Sequence, residues 1–282
     1  MHEEGDCLVD NTSEMRNLNR IWPIGVFLFL SAALSWTVWL WPSNSHKQLL
    51  FSGLGFWFKI PLPFLQLSIG SCLPGVLAFV WTLCEGKDQF RQMLSTLTRW
   101  RTPFQWYVVA VGLPIGLFLA ALDAVFLFFP TDRSFSVIDF VLRIVMTLPF
   151  APFWEELAWR AFALRKLESR YSRLASALLL GVYWGIWHIP FWLVQLHSVA
   201  VSLLLASFVN VIALSIIFAY VYHCSSESLP VVILLHAVYD ACGPQVSLVV
   251  SRADVKMRVI YALTALSVCL AIAFGRMLRR TD

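Results

Sequence analysis

Two adjacent acids sit inside an apolar stretch, Glu155 and Glu156 in Pro152-Phe-Trp-Glu-Glu-Leu-Ala-Trp-Arg160. An ionisable side chain at membrane depth costs roughly 2.5–3.5 kcal/mol on insertion scales, so a segment that only had to span a bilayer would carry neither. Arg160 lies four residues after Glu156, which puts both on one helical face with the acid N-terminal, the better order for an ion pair. Glu155 points about 100° away and need not be neutralised by the same arginine. One acid can therefore be structural while the other takes and gives protons, a division of roles that paired carboxyls commonly adopt. The plainer alternative is a Glu–Arg clamp at a helix end.

Two further polar groups recur at membrane depth. His188 stands in Val182-Tyr-Trp-Gly-Ile-Trp-His-Ile-Pro-Phe-Trp192, with Trp184 four residues earlier on the same face and Pro190 two residues later. A proline inside a helix removes one backbone N–H and loosens the preceding turn, giving water a route to the imidazole. His236 and Asp240, in Leu229-Pro-Val-Val-Ile-Leu-Leu-His-Ala-Val-Tyr-Asp240, are again i, i+4, and a carboxyl beneath an imidazole can set its tautomer and orientation. Each histidine taken alone could be only a helix–helix hydrogen bond. Three such motifs, all built from acids and imidazoles, point to proton-transfer chemistry inside the membrane.

The rest of the chain must hold these groups. With 59% hydrophobic and 13% charged residues among 282, the composition is that of a polytopic membrane protein. A bilayer is crossed by about 20 apolar residues, and such runs occur at 21–41, 63–84, 105–129, 137–163, 174–195, 199–222, 229–250 and 257–275. The expected fold is all-α, a polytopic transmembrane helical bundle of about eight transmembrane helices. Residues 1–20, acidic and polar, read as a mobile cytoplasmic tail without the features of a cleavable signal peptide. Residues 21–282 read as one integral membrane domain. The aromatic stretch 49–62 suggests an amphipathic segment along the interface, and most of the 13 Trp fall where an aromatic belt would lie.

Charge sets the expected orientation. Arg16, Arg20, Lys87, Arg91, Arg99, Arg101, Arg165, Lys166, Arg170, Arg173, Arg276, Arg279 and Arg280 would share one side. Lys47, Arg133, Arg252, Lys256 and Arg258 would lie on the other. The bias places both termini in the cytoplasm and accounts for the net charge of +4 without nucleic-acid binding. The six Cys form no CxxC pair, so neither a disulfide framework nor a cysteine zinc site is expected.

The motifs Glu-Glu-x-x-x-Arg (155–160), Trp-x-x-x-His (184–188) and His-x-x-x-Asp (236–240) resemble those of the CPBP family. This family comprises the CAAX prenyl protease and bacteriocin-processing intramembrane proteases, also known as the abortive-infection family. The Trp-Gly-Ile-Trp-His-Ile-Pro and Ser228-Leu-Pro contexts are similar too, and the CPBP-like core would span about 137–250. Asp240 stands where the family usually has Asn, and Val232 where an aromatic often precedes the histidine.

The resemblance implies an intramembrane endopeptidase acting on a membrane-associated protein or peptide, of the CAAX-type prenylated, bacteriocin or signal-peptide kind. Glu155 with His188 would activate water, and His236 with Asp240 would stabilise the oxyanion, while Glu156, Arg160 and Trp184 would support them. The family is often described as metalloproteases. No HExxH helix occurs here, but Glu155, His188 and His236 could together hold zinc; the same groups can also activate water without a metal. Two other classes remain open, a non-catalytic immunity or scaffold protein of the same family and a proton-coupled transporter.

Overall fold

A computed structural model describes residues 24–42, 48–53, 56–127, 136–195, 200–249 and 253–279. The tail 1–20, with Cys7, lies outside them. An apolar helix α1 (Ile24–Trp39) comes first. A hairpin follows, β1 (Gln48–Gly53) antiparallel to β2 (Phe56–Pro61), with Gln48 opposite Pro61 and Gly53 opposite Phe56. Then come α2 (Leu62–Glu85), α3 (Lys87–Leu97), α4 (Gln105–Phe126), α5 (Val137–Thr147) and α6 (Ala151–Glu156). The chain continues through a π-helical segment (Leu157–Leu164) into α7 (Arg165–Glu168), then α8 (Arg173–Gln195), α9 (Val201–Cys224), α10 (Leu229–Val249) and α11 (Ala253–Arg279).

The helical bundle stands, with one correction. The stretch expected to lie flat as an amphipathic segment is the β-hairpin, in keeping with its aromatic-rich strands and the glycines at 53 and 55. The eight apolar runs each coincide with helix, and among the described residues α2, α4, α8, α9 and α11 are long and apolar enough to cross a membrane. Two more, α1 and the first part of α10 (Leu229–Gly243), are shorter apolar helices. The run 137–163 is a pair of helices bent by 47° between Thr147 and Ala151, making at most a sixth span. The bend has a local cause: Pro152 occupies the first turn of α6, where its missing N–H is harmless, whereas a helix running unbroken from α5 would drive its ring against the carbonyl of Leu148.

Helix α9 lies between α8 and α11, α4 packs on α10 and α11, and α2 covers α6 and the π-helical segment. Small residues permit the closest approaches, as is usual where lipid supplies no hydrophobic drive. At Gly181 on α8, an added Cβ would lie 2.9 Å from the Ser215 side chain and 3.0 Å from the Ile212 backbone of α9. The turn into α10 is fixed from outside: Ser226 and Glu227 both adopt left-handed φ values (60° and 58°). Arg99 Nη1 donates to the Ser226 carbonyl at 3.2 Å and to Glu227 Oε2 at 2.6 Å. Strain of that kind, on the order of 1–3 kcal/mol per residue, persists only where the surroundings hold it. Here it sets where α10 begins and hence where His236 falls.

Candidate active site

The two acids close α6 just where the helix widens into its π-helical segment, all eight residues of which are buried. Such widenings are frequent at functional sites. Glu155 is 3% exposed, and Glu156 and Arg160 are fully buried. Arg160 Nη1 donates to Glu156 Oε1 at 3.1 Å, and its guanidinium lies over the rings of Trp184 and Phe218, 4.7 and 5.0 Å from their centroids. The expected clamp is therefore present, with aromatic faces covering the charge that the carboxylate leaves.

Glu155 turns the other way. Its Oε2 accepts from the indole N–H of Trp184 on α8 at 2.9 Å and more distantly from that of Trp159 at 3.4 Å, leaving Oε1 free of those bonds. Its position also depends on α2. A Cβ on Gly75 would come within 2.3 Å of the Trp154 carbonyl, so only glycine lets the backbone of α2 approach the residue preceding Glu155.

His188 Nδ1 lies 2.9 Å from the Trp184 carbonyl. A carbonyl only accepts, so Nδ1 carries the proton and Nε2 presents a lone pair. The ring stacks on Trp192 (centroids 5.4 Å apart, 17° between planes) and meets the edge of Trp187. Trp184 thus holds the acid with its indole and the imidazole with its backbone.

His236 Nδ1 lies 2.7 Å from Glu156 Oε1. Because that carboxylate already accepts from Arg160, it is the acceptor here as well. Asp240 Oδ2 sits 3.6 Å from His236 Nε2, an ion-pair distance rather than a hydrogen bond. The imidazole is therefore oriented chiefly by Glu156, not by Asp240 as the i, i+4 spacing suggested.

Glu155, His188, His236 and Asp240, carried on α6, α8 and α10, all line one cavity of about 560 Å³. Glu156 and Arg160 lie behind it. The cavity also presents Asn210, Tyr239 and Lys256, which the motif reading passed over; Asn210 was visible as a lone amide between Val209 and Val211. Among the described residues no three His, Cys, Asp or Glu side chains group closely enough to share an ion; the engaged Nδ1 atoms leave the Nε2 atoms as the nitrogens a metal would take. The described cysteines, Cys72, Cys84, Cys224, Cys242 and Cys269, are free thiols.

Fold and site together define a multi-pass integral membrane protein with a polar, acid- and histidine-lined cavity buried in its helices. Residues 137–242 match the family model described as type II CAAX prenyl endopeptidase Rce1-like. A stretch of 57 residues is 46% identical to the CAAX prenyl protease 2 of Methanococcus maripaludis, covering 20% of each protein. The chain thus matches about a fifth of that relative's length.

Proposed function

We propose that this protein is an intramembrane endopeptidase that hydrolyses a peptide bond of a membrane-associated protein or peptide. The observation that carries this reading is the convergence of Glu155, His188 and His236 from three helices on one cavity. The CAAX endopeptidase likeness of residues 137–242 supports it and favours CAAX-type substrates over bacteriocin or signal peptides. The basic-residue bias further supports cytoplasmic N- and C-termini.

The geometry suits hydrolysis without a metal. Water held between the free Oε1 of Glu155 and the Nε2 lone pair of His188 loses a proton to Glu155 as its oxygen attacks the carbonyl carbon. General-base help of this kind is worth about 10²–10⁴-fold. The oxygen that gains charge is met by His236 in its doubly protonated form, whose Nδ1–H is held by Glu156 and whose Nε2–H faces the cavity beside Asp240. An oxyanion donor is worth about 10²–10³-fold. An ionised Asp240 accepts only, so it contributes a donor in its protonated form. Collapse breaks the C–N bond as the proton on Glu155 passes to the leaving amine, giving an amine and a carboxylic acid, which ionises on release, and restoring the base.

The test is to reconstitute the protein in vesicles with lipid-anchored fluorogenic peptides, prenylated and unprenylated, and compare wild type with Glu155→Gln. Cleavage by wild type and its loss in the variant supports the reading. Equal behaviour of the two proteins would leave a scaffold or transporter role in its place.

A further inference from the structure

The side of α9 turned away from the catalytic cavity borders a second opening. Asn210, Val211 and Leu214 face the cavity. Val209 and Ile212 instead join Leu174 and Leu178 of α8 and Val268 and Ile272 of α11 in lining a groove of about 400 Å³. It lies on the outside of the bundle, since Leu178, Val209 and Ile272 are all exposed. Its walls are held by close packing. Ser215 Oγ of α9 donates to the Ala177 carbonyl of α8 at 2.8 Å. A Cβ on Gly275 of α11 would lie 3.1 Å from Leu174 Cδ1, so glycine lets α11 close against the start of α8.

One end of this apolar groove is charged. Arg276 and Arg279 line it, and no described Asp or Glu does. Both arginines are exposed, and neither has a hydrogen-bond or ion-pair partner among the described residues. Because Leu174 stands at the start of α8, this is also the end that carries Arg165, Lys166, Arg170 and Arg173. The basic bias makes it the cytoplasmic face, where the leaflet is anionic. Arginines at helix ends often do no more than reach for headgroups. Here the groove they close has a definite length. From Val268 to Arg279, α11 rises roughly 16 Å at 1.5 Å per residue, matching the ~15 Å hydrocarbon depth of one leaflet. A second copy related by a two-fold axis would bring its own arginines to the same end, whereas a phosphate neutralises them. We propose that the groove is a specific site for an anionic glycerophospholipid, with one acyl chain along Val209, Ile212 and Ile272 and the phosphate held between Arg276 and Arg279. The lipid then backs the same helix that presents Asn210 to the catalytic cavity. The assignment is independent of the peptidase reading.

The test is native mass spectrometry of the full-length protein in detergent, with phosphatidylglycerol and phosphatidylcholine of identical acyl chains supplied in equal amounts. Wild type should retain one phosphatidylglycerol, favoured by about tenfold or more over phosphatidylcholine, as two cations at an anionic headgroup allow. Arg276→Gln/Arg279→Gln should abolish the preference. Ile272→Trp, which obstructs the groove and leaves both arginines, should release the lipid. Arg91→Gln, at an exposed position of α3 outside the groove, should change nothing. Thermal melting verifies the fold of each variant, and phosphatidylglycerol should raise the melting temperature of wild type but not of the double variant. Equal retention of the two lipids by wild type overturns the proposal. So does a loss in Arg91→Gln as large as in the double variant, which would mean annular lipid only. Displacement of the lipid by inorganic phosphate would show that the acyl chain contributes nothing, and a dimer mass lost with Ile272→Trp would give the groove to a second copy. Either result also overturns it.

Discussion

Glu156 Oε1 stands 2.7 Å from His236 Nδ1, and so one carboxylate oxygen serves both an arginine four residues on and an imidazole on a different helix. Arg160 donates to Glu156, Glu156 accepts from Nδ1–H, and Nε2 is thereby turned toward the cavity. The acid that looked purely structural acts through His236 as a positioning residue.

The two acids should separate on substitution. Glu155→Gln keeps the shape and still accepts from Trp184, so thermal stability should stay near wild type while kcat falls by about 10²–10⁴-fold. Glu156→Gln leaves Arg160 without its counter-ion, and stability should fall by about 3–5 kcal/mol along with activity. Melting curves beside initial rates check both; a stable, inactive Glu156→Gln with an active Glu155→Gln would exchange the roles.

The buried pair should not itself be required for folding. A Glu156→Met/Arg160→Met double variant removes both charges and replaces them with apolar bulk, a change that is often neutral or stabilising. It should melt well above either single variant yet remain inactive, because His236 has lost its acceptor. A double variant no more stable than the singles would show that the pair does more than neutralise itself.

Gly75→Ala tests the support of α6 from α2. The added methyl meets the Trp154 carbonyl, a backbone atom that cannot swing aside, and overpacking of this kind costs about 1–3 kcal/mol. Because the residue displaced adjoins Glu155, kcat should fall further than stability alone would suggest. Wild-type turnover in a correctly folded Gly75→Ala protein would mean that the two helices can slide apart without moving the acid.

With Glu156 already holding Nδ1, Asp240 is free to act as a second donor rather than as an orienting anion. That role needs its proton, which is bound below its pKa and lost as pH rises through it, so wild-type activity should show an alkaline limb. Asp240→Asn supplies a permanent donor and should abolish that limb while preserving or raising the rate. A variant slower at every pH would make Asp240 an orienting anion instead, by analogy with a triad aspartate.

Chelation provides a separate check on the chemistry. Extended dialysis against a strong zinc chelator should leave the rate of the reconstituted enzyme unchanged, and metal analysis should find less than one zinc per chain. Loss of activity restored by added zinc would replace the metal-independent mechanism.

The apolar runs, the three polar motifs and the Glu156–Arg160 spacing were all legible in the sequence because each is local. What was not legible depends on neighbours distant in the chain or on small backbone choices. Hydropathy is equally high on both sides of Thr147, so the 47° bend is hidden within what reads as one run, and only Pro152 hints at it. The i, i+4 rule pairs Asp240 with His236 but cannot see Glu156, 80 residues away. Trp184 looked like a stacking partner for His188, yet its indole N–H is spent on Glu155, a bond that only the docking of α8 on α6 creates. Lys256 was counted as a loop charge, since nothing local reveals that the first turn of α11 faces the cavity.

The separation of Glu156 and His236 also orders the protein's biosynthesis. Glu156 and Arg160 reach the bilayer on the same helix, already able to neutralise one another, whereas the imidazole emerges 80 residues later, about 4–16 s afterwards at ordinary translation speeds. Until α10 inserts, the nascent chain holds an acid and a histidine with no oriented partner for the oxyanion. On the proposed peptidase reading, a half-made chain would therefore be harmless to other chains leaving the same translocon, and competence would arrive only when nearly all of the bundle has been threaded.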